Sequence, residues 1–200
     1  MTDGAPAPGD SAGAVLTAAL RAHGAAAATE HIVRTGDVLR VLTRETSDEY
    51  LATFDVESGQ AVGETVRGEG GEVDARSHLR ALRPDRRYVS VHTHTRSTSF
   101  SVGDAIILTR TPALVAIAVV GVDGTWYLLS KQSAVGEADH LDVALAFTAA
   151  LRALQPQFRD LLAAGAVSAL QADRELLHTL WKVIAPPLGL RYDRTVNGHD

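Results

Sequence analysis

The stretch YVSVHTHTRSTSFSVGDAIIL, Tyr88–Leu108, joins an alternating apolar run to a polar loop and then to a second apolar run. In a β-strand, residues i and i+2 share a face. Val89 and Val91 therefore point one way, into a core. His92 and His94 point the other way, side by side at the strand's end. The chain has only 8 histidines in 200 residues, so a pair at this spacing stands out. Two neutral imidazoles suit a first-row divalent metal. A catalytic zinc site uses three protein ligands and keeps a fourth position open. Asp104 is the obvious third ligand, in the first turn of the following helix, with the loop TRSTSF folding it back over the metal.

Ser101 carries two readings. S-x-x-D before an apolar run is a helix-capping pattern, in which the serine oxygen accepts an amide of the first turn and the acid favours the helix N-terminus. The other reading is a catalytic group, although taken alone such a serine is more often a cap. Both readings stand at this point.

Working outward, residues 1–12 are Pro-, Gly- and Ala-rich and read as a disordered tail. SAGAVLTAALRAHGAAAAT reads as one helix that Gly24 weakens or ends. DVLRVLTR and EYLATFDV read as strands, and AVGETVR, after the turn ESGQ, as a third that completes a hairpin. GEGGE is a flexible loop, and VDARSHLRALRP is a helix closed by Pro84. ALVAIAVVGVDGTWYLLSK is a hairpin turning at Asp123-Gly124. From Glu137 onward the chain reads as helical, broken near Pro156, Gly165 and Pro186-Pro187. The expected fold is α/β, a mixed sheet flanked by helices, with residues 13–136 as the domain and 137–200 as a C-terminal helical extension.

Composition narrows the function. A hydrophobic content of 46% supports a real core. A net charge of −5 without a basic stripe argues against a nucleic-acid partner. No cysteine is present, which excludes disulfides, thiolate metal sites and cysteine nucleophiles. No apolar run is long enough to span a bilayer, and the N-terminus lacks a basic n-region. The expectation is a cytoplasmic protein with no membrane partner.

His92-Thr93-His94 followed by Ser101-x-x-Asp104 resembles the JAB/MPN metalloenzyme family, also called JAMM. Its signature is H-x-H, a loop, then S-x-x-D, with a glutamate on an earlier strand. The resemblance covers roughly residues 37–131, and the order of elements agrees. The SFSVGD ending is similar to bacterial and phage-associated members. Thr95 stands where the family usually has proline, and the loop is one residue shorter than in eukaryotic deubiquitinase members. The resemblance implies a cytidine-deaminase-like fold and one Zn2+ held by His92, His94 and Asp104. It implies Ser101 as the oxyanion donor and an upstream glutamate as general base. Glu49, opening EYLATFDV, is the favoured base and Glu45 the alternative; a solvated strand-end acid is the bland reading of Glu49.

The leading function is therefore a zinc-dependent peptidase or isopeptidase acting on a protein or peptide, with ubiquitin-like and sulfur-carrier tails among the candidates. The alternative enzyme is a metal-dependent phosphoesterase or amidohydrolase, because HTHT also opens the first strand of polymerase-histidinol-phosphatase-like barrels. Those barrels need further metal histidines, and only His140, His178 and His199 follow His94. The third reading is a non-catalytic JAB/MPN scaffold. Apolar residues such as Leu162, Leu170, Leu176, Leu180 and Val183 offer a homo-oligomer or partner surface, but pack more simply on the domain. Trp126 and Tyr127 read as packing residues, and Arg83, Arg86 and Arg87 as solvated charge.

Overall fold

The computed structural model describes residues 17–22, 24–68, 73–132 and 139–195. The expected tail over residues 1–12 and the loop acids Glu69 and Glu72 lie outside the described residues.

Six strands make one sheet in the order β2-β1-β3-β4-β5-β6. They are β1 (Tyr50–Asp55), β2 (Val66–Arg67), β3 (Tyr88–His94), β4 (Leu114–Gly121), β5 (Trp126–Lys131) and β6 (Leu190–Thr195). Neighbours are antiparallel, except that β3 and β4 run parallel. A parallel pair needs a crossover, and helix α4 (Val102–Arg110) supplies it. The other helices are α1 over residues 17–22, α2 (Ala26–Thr46), α3 (Arg76–Ala81), α5 (His140–Ala163) and α6 (Ala169–Ile184). A 3-10 turn at Pro186–Leu188 leads into β6.

Strand alternation sorts the sheet into two cores. Val89, Val91, Ala116 and Ala118 pack with Ile32 and Leu39 of α2. Ile117, Val119 and Leu129 pack on the other face with Leu108, Val143, Leu180 and Trp181. Each fully buried aliphatic side chain is worth roughly 1.5–3 kcal/mol, and β3 is buried at every position. The central strand that ends in the two histidines is thus buried along its whole length, as is β1 beside it. The chain is α/β, a mixed six-stranded sheet flanked by helices.

Three expectations are corrected. DVLRVLTR is not a strand but the second half of α2. Its buried residues Ile32, Gly36, Leu39 and Thr43 recur at helical spacing. Gly36 is required there, since a Cβ would lie 2.0 Å from the Trp126 ring. The third strand is brief: AVGETVR gives one isolated bridge, Phe54 to Ala61, and the short β2. The segment from Glu137 is not an all-helical extension. It ends in β6, which pairs along the whole of β5 and belongs to the same sheet. Within it α5 continues through Pro156 instead of breaking there. Among the described residues no helix is long and apolar enough to cross a membrane.

Candidate metal centre

His92 and His94 stand at the end of β3 on the face opposite Val89 and Val91, as the alternation requires. Thr93 between them is fully buried and faces α2. It accepts hydrogen bonds from the Thr43 hydroxyl at 2.6 Å and from the Tyr50 amide at 2.9 Å. One side chain thereby ties the end of α2, the start of β1 and the end of β3 together beneath the histidines.

Asp104 reaches the pair from the first turn of α4. His92 Nε2 and His94 Nε2 are 3.0 Å apart. Asp104 Oδ1 is 3.3 Å from His92 Nε2, and Oδ2 is 3.8 Å from His94 Nε2. Tetrahedral ligands about 2.0–2.1 Å from one zinc ion lie about 3.3 Å from each other, so the observed separations fit a shared ion. The three residues offer ligand atoms all within 4.8 Å of one another and could hold a metal.

Hydrogen bonding fixes the tautomers. A carbonyl only accepts, so His94 Nδ1 donates to Thr98 O, 2.9 Å away. The Nε2 of neutral His94 then presents its lone pair to the centre. His92 Nε2 carries the proton, shared between His94 Nε2 and Asp104 Oδ1. Burial, and then the neighbouring His92, lower His94 to about 4. Burial also works against charge on His92, yet the Asp104 carboxylate, with Glu49 adding to it, raises it above its ordinary value. Burial alone would raise Asp104, but the contact with His92 outweighs it and holds Asp104 well below the usual carboxylate range. The cluster is a buried carboxylate and two imidazoles around one proton, a position a cation can take over.

Ser101 is the N-cap of α4 and forms a full capping box with Asp104. Its amide and hydroxyl donate to Asp104 Oδ2 at 2.7 and 2.8 Å, and its oxygen accepts the Asp104 amide at 3.2 Å. The carboxylate is divided: Oδ2 is held by the cap and Oδ1 lies nearest His92. The Ser101 hydrogen points at Asp104, while the side chain lines the open cleft.

Glu49 sits one residue before β1 and is 8% exposed. Leu51 is the register partner of His92, so alternation puts Glu49 on the histidine face. It lines the same cleft, of about 810 Å³, as His92, His94, Ser101 and Asp104. Glu45 is exposed on the last turn of α2, and the cleft lining does not include it. The other described histidines are outside this ligand group, although His78 lines a small pocket that also touches His92 and Asp104. His78 is buried against Thr53 Oγ1 and Glu64 O, and His178 pairs with the Tyr192 hydroxyl.

Two contributors had no sequence signal as site residues. Thr98 meets His94 Nδ1 through its backbone carbonyl at 2.9 Å and also through its hydroxyl at 3.3 Å. Ser47 adopts a left-handed conformation (φ 62°) after α2 and lines the cleft beside Glu49. Comparison of the chain with protein-family models, with curated proteins and with solved structures returns no match.

Proposed function

We propose that the protein is a zinc-dependent peptidase or isopeptidase of the JAB/MPN type, cleaving a peptide or amide bond in a protein or peptide tail. The observation that carries the reading is the convergence of His92 Nε2, His94 Nε2 and the Asp104 carboxylate within 4.8 Å, on one cleft with Glu49 and Ser101. The order of strand, helix, H-x-H strand, S-x-x-D helix and hairpin supports the family reading. Two imidazoles and a carboxylate are a donor set for zinc.

When bound, zinc supplies Lewis-acid polarisation of a carbonyl and a more acidic water. The residues of the chain do the rest. The bond from His94 Nδ1 to Thr98 O keeps Nε2 free to bind. Glu49 takes the proton from the attacking water and delivers it to the leaving amine. Ser101 turns its hydroxyl from Asp104 Oδ2 to the oxyanion that forms at the carbonyl. Ubiquitin-like and sulfur-carrier tails are the substrates to try first.

The test is incubation of the zinc-loaded protein with tail-extended ubiquitin-like and sulfur-carrier proteins, with mass spectrometry of the products. Cleavage that disappears on chelation and with Glu49→Gln supports the reading. A zinc-loaded protein inert on these tails but active on phosphoesters would overturn it.

A further inference from the structure

Six residues, Thr95 to Phe100, connect His94 at the end of β3 to Ser101 at the start of α4. Metal ligands sit just outside both ends of this loop, so its conformation sets where Asp104 lies against the histidines. The loop belongs to no strand or helix. Two buried side chains from elsewhere in the fold hold it. The Trp181 indole on α6 donates to Phe100 O at 2.7 Å, across 81 positions of sequence. The Tyr127 hydroxyl on β5 donates to Ser97 O at 2.9 Å.

The packing around both contacts is close. Phe100 is fully buried, edge-on to Trp181 at 6.4 Å and to Tyr192 at 6.3 Å. Ser97 adopts φ 53°, a left-handed conformation that costs a non-glycine residue energy. Its hydroxyl accepts the Asp123 amide at 3.2 Å. Gly121 is what lets it come so near, for a Cβ there would lie 2.6 Å from Ser97 Cβ.

We propose that Trp181 and Tyr127 are positioning residues for the metal centre: by clamping the carbonyls of Phe100 and Ser97 they set Asp104 against His92 and His94. The inference rests on the metal-binding reading above and gives the C-terminal segment a part in it. Metal–ligand distances tolerate only about 0.2 Å of error. A buried carbonyl that loses its donor moves toward another one, and Phe100 can move only by carrying the start of α4 with it. Partners that orient ligands typically change metal affinity about 10- to 100-fold when removed.

The experiment is the zinc dissociation constant of the full chain, measured by competition with a chromogenic chelator, alongside thermal melting. Trp181→Phe keeps a ring against Phe100 and Phe147 and deletes the donor. Tyr127→Phe deletes only a hydroxyl and decides the matter if Trp181→Phe does not fold. Trp126→Phe is the comparison, since Trp126 packs on Gly36 at the other face of the sheet. The expected result is roughly 10- to 100-fold weaker zinc binding in Trp181→Phe, a shift in the same direction in Tyr127→Phe, and wild-type affinity in Trp126→Phe despite a lower melting temperature. Wild-type affinity in folded Trp181→Phe or, where that variant does not fold, in Tyr127→Phe, or equal weakening in Trp126→Phe, overturns the clamp and leaves the metal centre standing. A folded wild-type chain that binds no zinc overturns the metal centre and the clamp with it.

Discussion

Ser101 and Asp104 hold each other through three hydrogen bonds, and the carboxylate oxygen they use is Oδ2, while Oδ1 lies 3.3 Å from His92 Nε2. One aspartate therefore completes a capping box and belongs to a group that could hold a metal. Removing the Ser101 hydroxyl separates the roles. Ser101→Ala is expected to lose about 1 kcal/mol from the cap, a shift of roughly 2–4 °C in a chain of this size. On the proposed role as oxyanion donor, its loss is also expected to lower kcat about 100-fold or more with zinc content intact. Melting temperature, zinc content and kcat on one preparation check this; a small melting shift with unchanged kcat would leave Ser101 a cap alone.

Glu49→Gln is expected to keep zinc and the fold and to lower turnover by about two to four decades, the usual contribution of a general base. Glu45→Gln is expected to stay active, since Glu45 is exposed and the cleft lining does not include it. Parallel rate measurements on the two variants decide the assignment, and the reverse pattern would move the base to Glu45.

Thr93→Val replaces the hydroxyl that accepts from Thr43 and Tyr50. The buried Tyr50 amide then lacks its partner, at a cost of about 1–3 kcal/mol. Chemical denaturation should show that loss. An unchanged midpoint would mean that the junction of α2, β1 and β3 does not depend on Thr93.

Asp55 gives the fold an acid limit. Burial works to raise its pKa, but hydrogen bonds from the Ser58 amide and hydroxyl, then the charge of Arg86, hold it below its ordinary 3.8. A carboxylate depressed in the folded state stabilises above the unfolded pKa, and that contribution is lost as pH falls through the folded pKa. The stability difference between wild type and Asp55→Asn should thus be constant near neutrality and shrink below 3.8. Melting curves across that range check it; a difference independent of pH would remove Asp55 from the acid response.

The part of the fold legible in the sequence is the part whose signals are local. Alternation in YVSVHTH places both imidazoles on one face, and S-x-x-D marks the start of α4. The residues that escaped are those whose state is set by distant partners. DVLRVLTR is rich in Val, Leu and Thr and reads as a strand. Its helix is stabilised where Gly36 admits Trp126 and Thr43 meets Thr93. The sequence LRYDRT of β6 is short and charged, and it is a strand because β5 offers an edge, with Leu128 opposite Asp193. Trp181 reads as one more apolar position on a helix, and its bond to Phe100 exists only once the chain has closed.

The central claim is that His92, His94 and Asp104 form one metal site. The direct measurement is elemental analysis of the purified wild-type chain beside His92→Ala and His94→Ala, each shown to be folded by circular dichroism. About one zinc per wild-type chain is expected, from three protein ligands and one open position, with the metal lost from both folded variants. Full occupancy in both variants, or a folded wild-type chain that takes up no zinc, would contradict the account.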